Sequence, residues 1–220
     1  MPDSTMTASL PKDIRAGLFG KLPARGDFVR ENLPRDFTDA WDTWWQRGLA
    51  ETQHQAGEAW RDAWLEAPVW RFVLPPGLCG RNGVIGLWMP SMDKAGRFFP
   101  LTIAATAATD WALRANTMTP FLAAAEQAGR DALEFDLTPD ILRERIQASL
   151  RETAMSDEAP PDCLPGQAAW WTEGGPRVGP RTEIGTDLPE GAHFATLIDD
   201  CWGGAVPATA PSTTDAPEKA

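Results

Sequence analysis

The chain has 220 residues and a formal net charge of −11, from 31 acidic and 20 basic side chains. Apolar residues make up 43% and charged residues 23%, which is typical of a soluble globular domain. This length is enough for one sizeable domain with a packed core. The acidity argues against nucleic acid or an anionic membrane as the main partner, because affinity for both depends on clustered Lys and Arg.

Metal sites, disulfides and membrane spans have little support in the sequence. Three cysteines and two histidines are too few and too widely spaced for structural zinc or a disulfide framework. No stretch reaches the roughly 20 apolar residues of a membrane span. The first residues also lack the basic and apolar regions of a secretory signal. We therefore expect a cytoplasmic protein without membrane insertion, metal or other cofactor.

The two ends of the sequence are small and polar. Residues 1–13 and 207–220 are predicted to be disordered, because they have little apolar surface to bury. The intervening sequence shows no repeat and no linker, so residues 14–206 are predicted to form a single domain. Within it, the segment 156–167 contains three prolines and three acids and is predicted to be a loop.

The first elements in chain order are a strand and a long helix. The strand is predicted over 15–20 and leads into a polar loop over 21–28. Gly57 is predicted to break the helix, which resumes over 60–67 before a proline. The apolar positions of the first helical part form one stripe: Phe37, Trp41, Trp44, Trp45, Gly48 and Leu49.

The hydrophobic period then changes to that of strands. Three consecutive strands are predicted over 69–74, 83–89 and 98–106, and their short connections favour an antiparallel meander. The sequence thus predicts a mostly antiparallel sheet.

The remaining elements complete an α+β fold in which helices flank this sheet. Helices are predicted over 119–135 and 138–150, and a further strand over 168–172. The segment 191–199 is compatible with either a helix or a strand.

Eleven tryptophans and nine phenylalanines, with no tyrosine, indicate large and specific core or interface contacts. The helical stripe is predicted to be core. Adjacent helical residues point about 100° apart, so either Trp44 or Trp45 is expected at the edge of the stripe. Adjacent strand residues point to opposite faces, so either Trp170 or Trp171 is expected to face solvent or another chain.

Common catalytic motifs do not occur in the sequence. The phosphate-binding loop, the dinucleotide-binding glycine pattern and the nucleophile elbow of hydrolases are all missing. His54 lies in a polar stretch and is predicted to be a solvated helix residue, and a surface or structural role is favoured for His193. We therefore expect the protein not to be an enzyme.

Two polar loops contain the residues of greatest interest. In the first, Arg25 and Asp27 flank a glycine that permits a tight turn. They could pair with each other, tie the loop to the sheet, or present charge to a partner. In the second, Asp93 and Arg97 bracket a turn and could either form one ion pair or surround an aromatic patch.

Two alternative functions stay open beside an interaction module. One is an unrecognised hydrolase using Ser91 and Asp93, with Arg97 or Arg25 stabilising charge, although it has no evident base. The other is a small-ligand sensor with a pocket lined by tryptophan and arginine.

Several ordered segments together resemble the TagF family, also called ImpM, of bacterial type VI secretion. The similarity is strong over residues 14–106 and weaker around Trp170 and over 185–198. Met92 stands where the family usually has valine, a change that alters packing and no charge. The segments are GLFGKLPARGDFV (17–29), LP..F...WD.WW (33–45), APVWRF (67–72) and MPSMDKAGRFFPLTIA (89–104).

The resemblance implies a regulator. TagF-like proteins are post-translational repressors of type VI secretion, acting independently of the threonine-kinase pathway and linked to the forkhead-associated (FHA) scaffold of the system. Some carry a fused phosphatase domain, for which this sequence has too little length after residue 150. The implied fold is a longin- or profilin-like α/β sandwich. The expected partners are the FHA scaffold or other cytoplasmic secretion components, and the net charge suits a basic surface on such a partner.

The resemblance transfers no catalytic residue. It marks seven positions as motif members that either bind a partner or hold the fold: Arg25, Asp27, Trp70, Arg71, Ser91, Asp93 and Arg97.

Overall fold

The computed structural model describes residues 10–111, 115–152 and 163–203. The predicted disordered ends lie mostly outside these residues, as does most of the predicted loop over 156–167. The strands are β1 (Arg15–Gly20), β2 (Val29–Glu31), β3 (Trp70–Leu74), β4 (Gly83–Met89), β5 (Leu101–Ala107), β6 (Ala168–Thr172) and β7 (Arg181–Gly185). The α-helices are α1 (Arg35–Ala56), α2 (Trp60–Glu66), α3 (Thr119–Glu134), α4 (Pro139–Glu152) and α5 (Gly191–Thr196).

The strands form one sheet in the order β2-β1-β5-β4-β3-β6-β7. Every neighbouring pair is antiparallel. Strands β3, β4 and β5 follow one another as neighbours, which confirms the predicted meander. Since β1 lies beside β5 and β6 beside β3, the elements before and after the meander extend the same sheet on both sides.

Helices cover both faces of the sheet, which gives an α+β architecture and confirms the predicted fold class. Helices α1, α2 and α5 pack on one face, where the core is mostly aromatic. Helices α3 and α4 pack on the other, where it is mostly aliphatic. Side chains of a strand alternate between the two cores: Val84 and Trp88 enter the first, whereas Ile85 and Leu87 enter the second.

The tryptophan-rich stripe of α1 forms the centre of the aromatic core. Trp41 is fully buried and donates its indole N–H to the hydroxyl of Thr102 at 2.9 Å, which ties the helix to β5. Trp44 and Trp45 are both buried, so the expectation that one of them reaches the edge is wrong. The reason is tertiary, because Trp44 donates to the carbonyl of Pro189 at 2.7 Å, far away in sequence.

Trp170 and Trp171 point to opposite faces of the sheet, as predicted for adjacent strand residues. Trp170 is buried in the aromatic core, and its ring is 5.9 Å from that of Trp41 and nearly parallel to it. Trp171 is half-buried against the aliphatic core.

The start of β5 differs from the predicted one, and strands β2 and β7 were not predicted. β5 begins at Leu101 instead of residue 98, because Pro100 has no N–H to donate to a ladder. The short edge strands β2 and β7 have few buried residues and therefore little hydrophobic pattern. The segment 191–199, for which the sequence was compatible with either a helix or a strand, begins with the helix α5.

In the described part of the chain, no helix has the length and apolarity needed to cross a membrane.

Candidate functional site

The two polar loops lie side by side at one end of the sheet. The first, residues 21–28, connects β1 to β2, and the second, residues 90–100, connects β4 to β5. They meet because β1 and β5 are paired, with Gly20 opposite Leu101. We call the face formed by residues 21–28 and 90–98 the double-loop surface.

Asp93 is the centre of this arrangement. Its side chain has no solvent exposure, and one carboxylate oxygen lies 3.0 Å from Nζ of Lys21 and 2.7 Å from Nε of Arg97. The other oxygen accepts from the backbone N–H groups of Ala95 at 3.0 Å and Arg97 at 2.9 Å. Both oxygens are therefore used within the protein, so Asp93 joins the two loops.

These contacts determine the protonation of Asp93. Burial by itself would raise the pKa of the carboxyl, since it penalises the charged form. The backbone N–H of Arg97 and the cations of Lys21 and Arg97 outweigh this penalty and hold the pKa well below its usual range. Asp93 is consequently a carboxylate at neutral pH and cannot serve as a general acid.

Further hydrogen bonds fix the loops to each other. The guanidinium of Arg97 donates to the carbonyl of Gly26 at 2.5 Å, and the backbone N–H of Lys94 donates to the carbonyl of Arg25 at 2.9 Å. The hydroxyl of Ser91 is buried and donates to the carbonyl of Lys21 at 2.7 Å. Ser91 thus acts as a structural tie, and its oxygen is not presented to solvent.

The outer side of the first loop is exposed. Within the described residues, the side chains of Arg25 and Asp27 form neither an ion pair with each other nor one with a third group. Phe28 is 46% exposed, and its ring lies 4.7 Å from that of Phe99 and 5.7 Å from that of Phe19. The double-loop surface therefore combines fixed backbone with exposed charge and one exposed aromatic ring.

Trp70 and Arg71 make their contacts away from this surface. Trp70 is buried, donates to the carbonyl of Leu197 at 2.9 Å and carries the guanidinium of Arg181 over its ring at 4.8 Å. Arg71 pairs with Glu126 at 2.6 Å and Glu173 at 3.2 Å. Of the seven motif positions, five lie in the two loops, while Trp70 and Arg71 hold helices and loops onto β3.

Neither histidine supplies a base at this site. His54 is exposed on α1, and His193 lies 2.7 Å from a carboxylate oxygen of Glu183. In the ranges that the structure describes, no hydrogen bond joins either imidazole to Ser91 or Asp93. The geometry therefore does not favour the hydrolase alternative.

Sequence reasoning did not select Lys21 and Phe28. Both lie in the predicted loop, where a lysine is usually solvated and a single phenylalanine has no pattern. A usable signal was the position of Lys21, which begins the first loop directly after a buried strand. Its buried partner, Asp93, lies in the second loop. The exposure of Phe28 has no counterpart in the sequence.

Comparison with known proteins identifies the family. Residues 17–149 match the model of the TagF N-terminal domain, described as type VI secretion system-associated. The chain belongs to the TagF family. The matched residues include both loops of the double-loop surface, so the resemblance seen in the sequence segments is confirmed. No curated protein matches the sequence.

A solved structure supports the same fold. The crystal structure of PA0076 from Pseudomonas aeruginosa PAO1 is similar to this TagF-family chain with a TM-score of 0.73 and 29% sequence identity. The match covers 84% of this chain and 94% of that one. The similarity therefore extends beyond the part matched by the family model.

Proposed function

We propose that this type VI secretion-associated protein is a non-enzymatic, post-translational repressor that acts by binding a secretion component such as the FHA scaffold. The family assignment supports the secretion context. Binding as the mechanism is supported by the double-loop surface, where an exposed aromatic ring is held on a fixed backbone. That combination is the observation on which the proposal rests.

The exposed ring of Phe28 is well suited to binding. Large exposed aromatics are frequent hot spots of protein interfaces, because they bury much area with few rotatable bonds. Contacts with Phe19 and Phe99 already restrict the ring in the free protein. Little side-chain entropy is therefore lost when a partner covers it.

The polar groups of the site support binding over catalysis. Asp93 is fully engaged by Lys21 and Arg97, and the hydroxyl of Ser91 is directed at a backbone carbonyl. A nucleophile needs a neighbouring base and an open approach. These side chains instead hold the loops in position.

Repression by binding follows from mass action. A protein that binds one state of the scaffold, and not the assembling state, shifts the scaffold toward the bound state and lowers the concentration of the active form. The size of this shift is set by the difference between its affinities for the two states. The effect then scales with the amount of repressor and needs no turnover. Transcript and protein levels of the other components should remain constant.

The test is co-purification with the FHA scaffold of the same secretion system, combined with a secretion assay. Variant Arg25→Ser/Phe28→Ser removes one exposed cation and the exposed ring of the double-loop surface. Its matched control is Lys12→Ser/Ile184→Ser, which removes another exposed cation and an apolar side chain that is also 46% exposed. Thermal unfolding of all variants shows whether they remain folded.

The expected result is that wild type and control retain the scaffold and repress secretion, whereas Arg25→Ser/Phe28→Ser does neither. Loss of repression without any change in transcript levels would support a post-translational effect. Absence of scaffold binding by the wild type, with repression intact, would show that the direct target is another component. Unchanged secretion on deletion and on overproduction would contradict the proposed repression itself.

A further inference from the structure

We infer that the double-loop surface binds an acidic segment of a partner protein and receives one of its apolar side chains on Phe28. This inference rests on the proposed function and specifies the chemistry of the partner. It is carried by three features of the surface: its charge, its exposed ring and the groove beside it.

The charge of this surface is opposite to that of the whole chain. Its two loops contain four cations and two carboxylates, a net charge of +2, whereas the chain carries −11. The expectation of a basic partner surface, drawn from the net charge, therefore does not apply here. The charged residues are Lys21, Arg25, Lys94, Arg97, Asp27 and Asp93.

Burial sorts these charges so that three of the four cations, Arg25, Lys94 and Arg97, face outward. The Asp93 carboxylate lies inside, between Lys21 and Arg97, and is not available to a partner. Arg25 and Lys94 are exposed on adjacent backbone, joined by the hydrogen bond from the N–H of Lys94 to the carbonyl of Arg25. Asp27 is the one carboxylate that these two loops expose to solvent. An acidic segment would therefore meet mainly positive potential.

Phe28 supplies the apolar contact within this positive surface. One part of its ring packs on Phe19 and Phe99, and Nζ of Lys21 lies 5.3 Å from the ring centroid. Almost half of the side chain remains exposed. Because its neighbours fix the ring, it can accept an apolar side chain without rearrangement.

A groove next to Phe28 provides a path for an extended segment. It has a volume of about 530 Å³ and is lined by residues 25–31 together with Pro139 and Asp140. The residues of strand β2 are among those that line it, and β2 is an edge of the sheet as described, so an added segment can pair with its backbone. Its charged lining residues are Arg25, Asp27, Arg30, Glu31 and Asp140, so the acidic residues of the segment are expected at the exposed cations of the two loops and its uncharged residues in the groove.

A partner protein fits these features better than nucleic acid or a membrane. Binding of nucleic acid or of an anionic membrane requires a broad area of positive charge on the protein. The strongly acidic remainder of this chain would repel both. A short acidic segment needs only a local positive area. The surface is thus suited to a negatively charged, partly apolar stretch of polypeptide.

The test uses a labelled peptide of glutamate and serine with one central phenylalanine, titrated with the full-length protein by fluorescence anisotropy. Comparison peptides replace phenylalanine with serine, or glutamate with lysine. Phosphatidylcholine vesicles with and without phosphatidylglycerol test membrane binding. The proteins are wild type, Phe28→Ser, Arg25→Ser/Lys94→Ser and the control Lys12→Ser/Ile184→Ser.

We expect saturable binding of the acidic phenylalanine peptide that weakens as salt is raised. Phe28→Ser and Arg25→Ser/Lys94→Ser should each raise Kd about tenfold, while the control leaves it unchanged. The serine-substituted peptide should bind more weakly, and the lysine peptide should not bind. No saturable binding up to millimolar protein, equal loss in the control variant, or preference for anionic vesicles would overturn the inference.

The outcomes also separate this inference from the proposed function. Peptide binding without co-purification of the FHA scaffold would support the surface and contradict that choice of partner. Co-purification that survives Arg25→Ser/Lys94→Ser and Phe28→Ser would leave binding of the scaffold standing as the mechanism and contradict the double-loop surface as its site.

Discussion

The ring of Phe194 packs directly against Gly48. A Cβ at position 48 would lie only 2.4 Å from two carbons of that ring, well inside van der Waals contact. The contact brings α5 against the tryptophan-bearing face of α1, where Phe194 also lies 5.2 Å from the ring centroids of Trp44 and Trp45. Gly48 is therefore a glycine because of a packing partner about 150 residues away in sequence, and not because of its backbone conformation.

Replacement of Gly48 by alanine should destabilise the protein. The added methyl group must displace Phe194 from a closely packed aromatic core, and such overpacking costs about 1–3 kcal/mol. This cost should exceed the roughly 1 kcal/mol gained because alanine is the better helix former. The free energy of unfolding, measured with urea, is expected to fall.

Phe194→Leu, which introduces a smaller side chain, is the second substitution in a double-mutant cycle with Gly48→Ala. Gly48→Ala should cost less in the Phe194→Leu background than in wild type, since the two sites share one contact. A Gly48→Ala protein as stable as wild type would show that the ring has room to move.

Asp93→Asn should destabilise the protein by about 3 kcal/mol, because it leaves the buried ammonium of Lys21 without its carboxylate. Asp27→Asn is the matched control, since it removes an exposed carboxylate from the same surface. Urea unfolding at neutral pH measures both. An equal, small effect of the two substitutions would contradict the central role of Asp93.

The same ion pair predicts an acid dependence of stability. The pKa of Asp93 is held below its ordinary value of 3.8, so the stability that this group contributes is present above about pH 4. It is lost as the pH falls below that value toward the folded-state pKa. Wild type should thus lose stability between about pH 4 and pH 2 more steeply than Asp93→Asn. Parallel loss of stability in wild type and Asp93→Asn as the pH falls would contradict this prediction.

The ion pair of His193 predicts that stability depends on pH in the opposite direction near neutrality. Its hydrogen bond to Glu183 raises the pKa of the imidazole above the ordinary 6.5, although burial acts against this and Arg181 lowers it. The stabilising contribution is therefore complete below about pH 6.5 and is lost as the pH rises through the folded-state pKa. The melting temperature of wild type relative to His193→Gln should decrease over this range.

The control for His193 is His54→Gln, because His54 is exposed on α1 and has no carboxylate partner among the described residues. Its melting temperature should follow wild type at every pH. A constant difference between wild type and His193→Gln across neutral pH would mean that the ion pair with Glu183 does not affect stability.

Cys79 should be unreactive in the native protein. The thiol is buried, and burial raises its pKa from 9.0 to about 12, so almost no thiolate is present at neutral pH. In a Cys163→Ser/Cys201→Ser variant, a maleimide or disulfide reagent should label Cys79 only at the rate of unfolding. Denaturant should make that labelling fast. Rapid labelling without denaturant would indicate local opening around Cys79.

The sequence predicted the elements whose pattern is local. The bounds of β4 and β6 agree with the structure, because both are apolar runs between turn residues. The apolar stripe of α1 and the break at Gly57 were visible for the same reason. The edge strands β2 and β7 were not, since a strand with one neighbour and exposed side chains carries no hydrophobic signature.

For the candidate site, the sequence selected two loops that the structure brings together, but it did not predict the contacts between them. Arg25, Asp27, Ser91, Asp93 and Arg97 all lie in them, although the binding role of these residues stays a prediction. Local spacing suggested pairing of Asp93 with Arg97, which the structure contains. It could not indicate that Lys21 shares that carboxylate, because their proximity depends on the pairing of β1 with β5.

Composition and local pattern thus determined the fold class, most helices and strands, and the family resemblance, because each depends on residues close together in the chain. The tertiary structure decided which charges are buried and which aromatic rings are covered. Trp44 is hidden by Pro189, whereas Phe28 remains half-exposed. Burial depends on contacts between distant segments, and those contacts form only when the sheet brings the segments together.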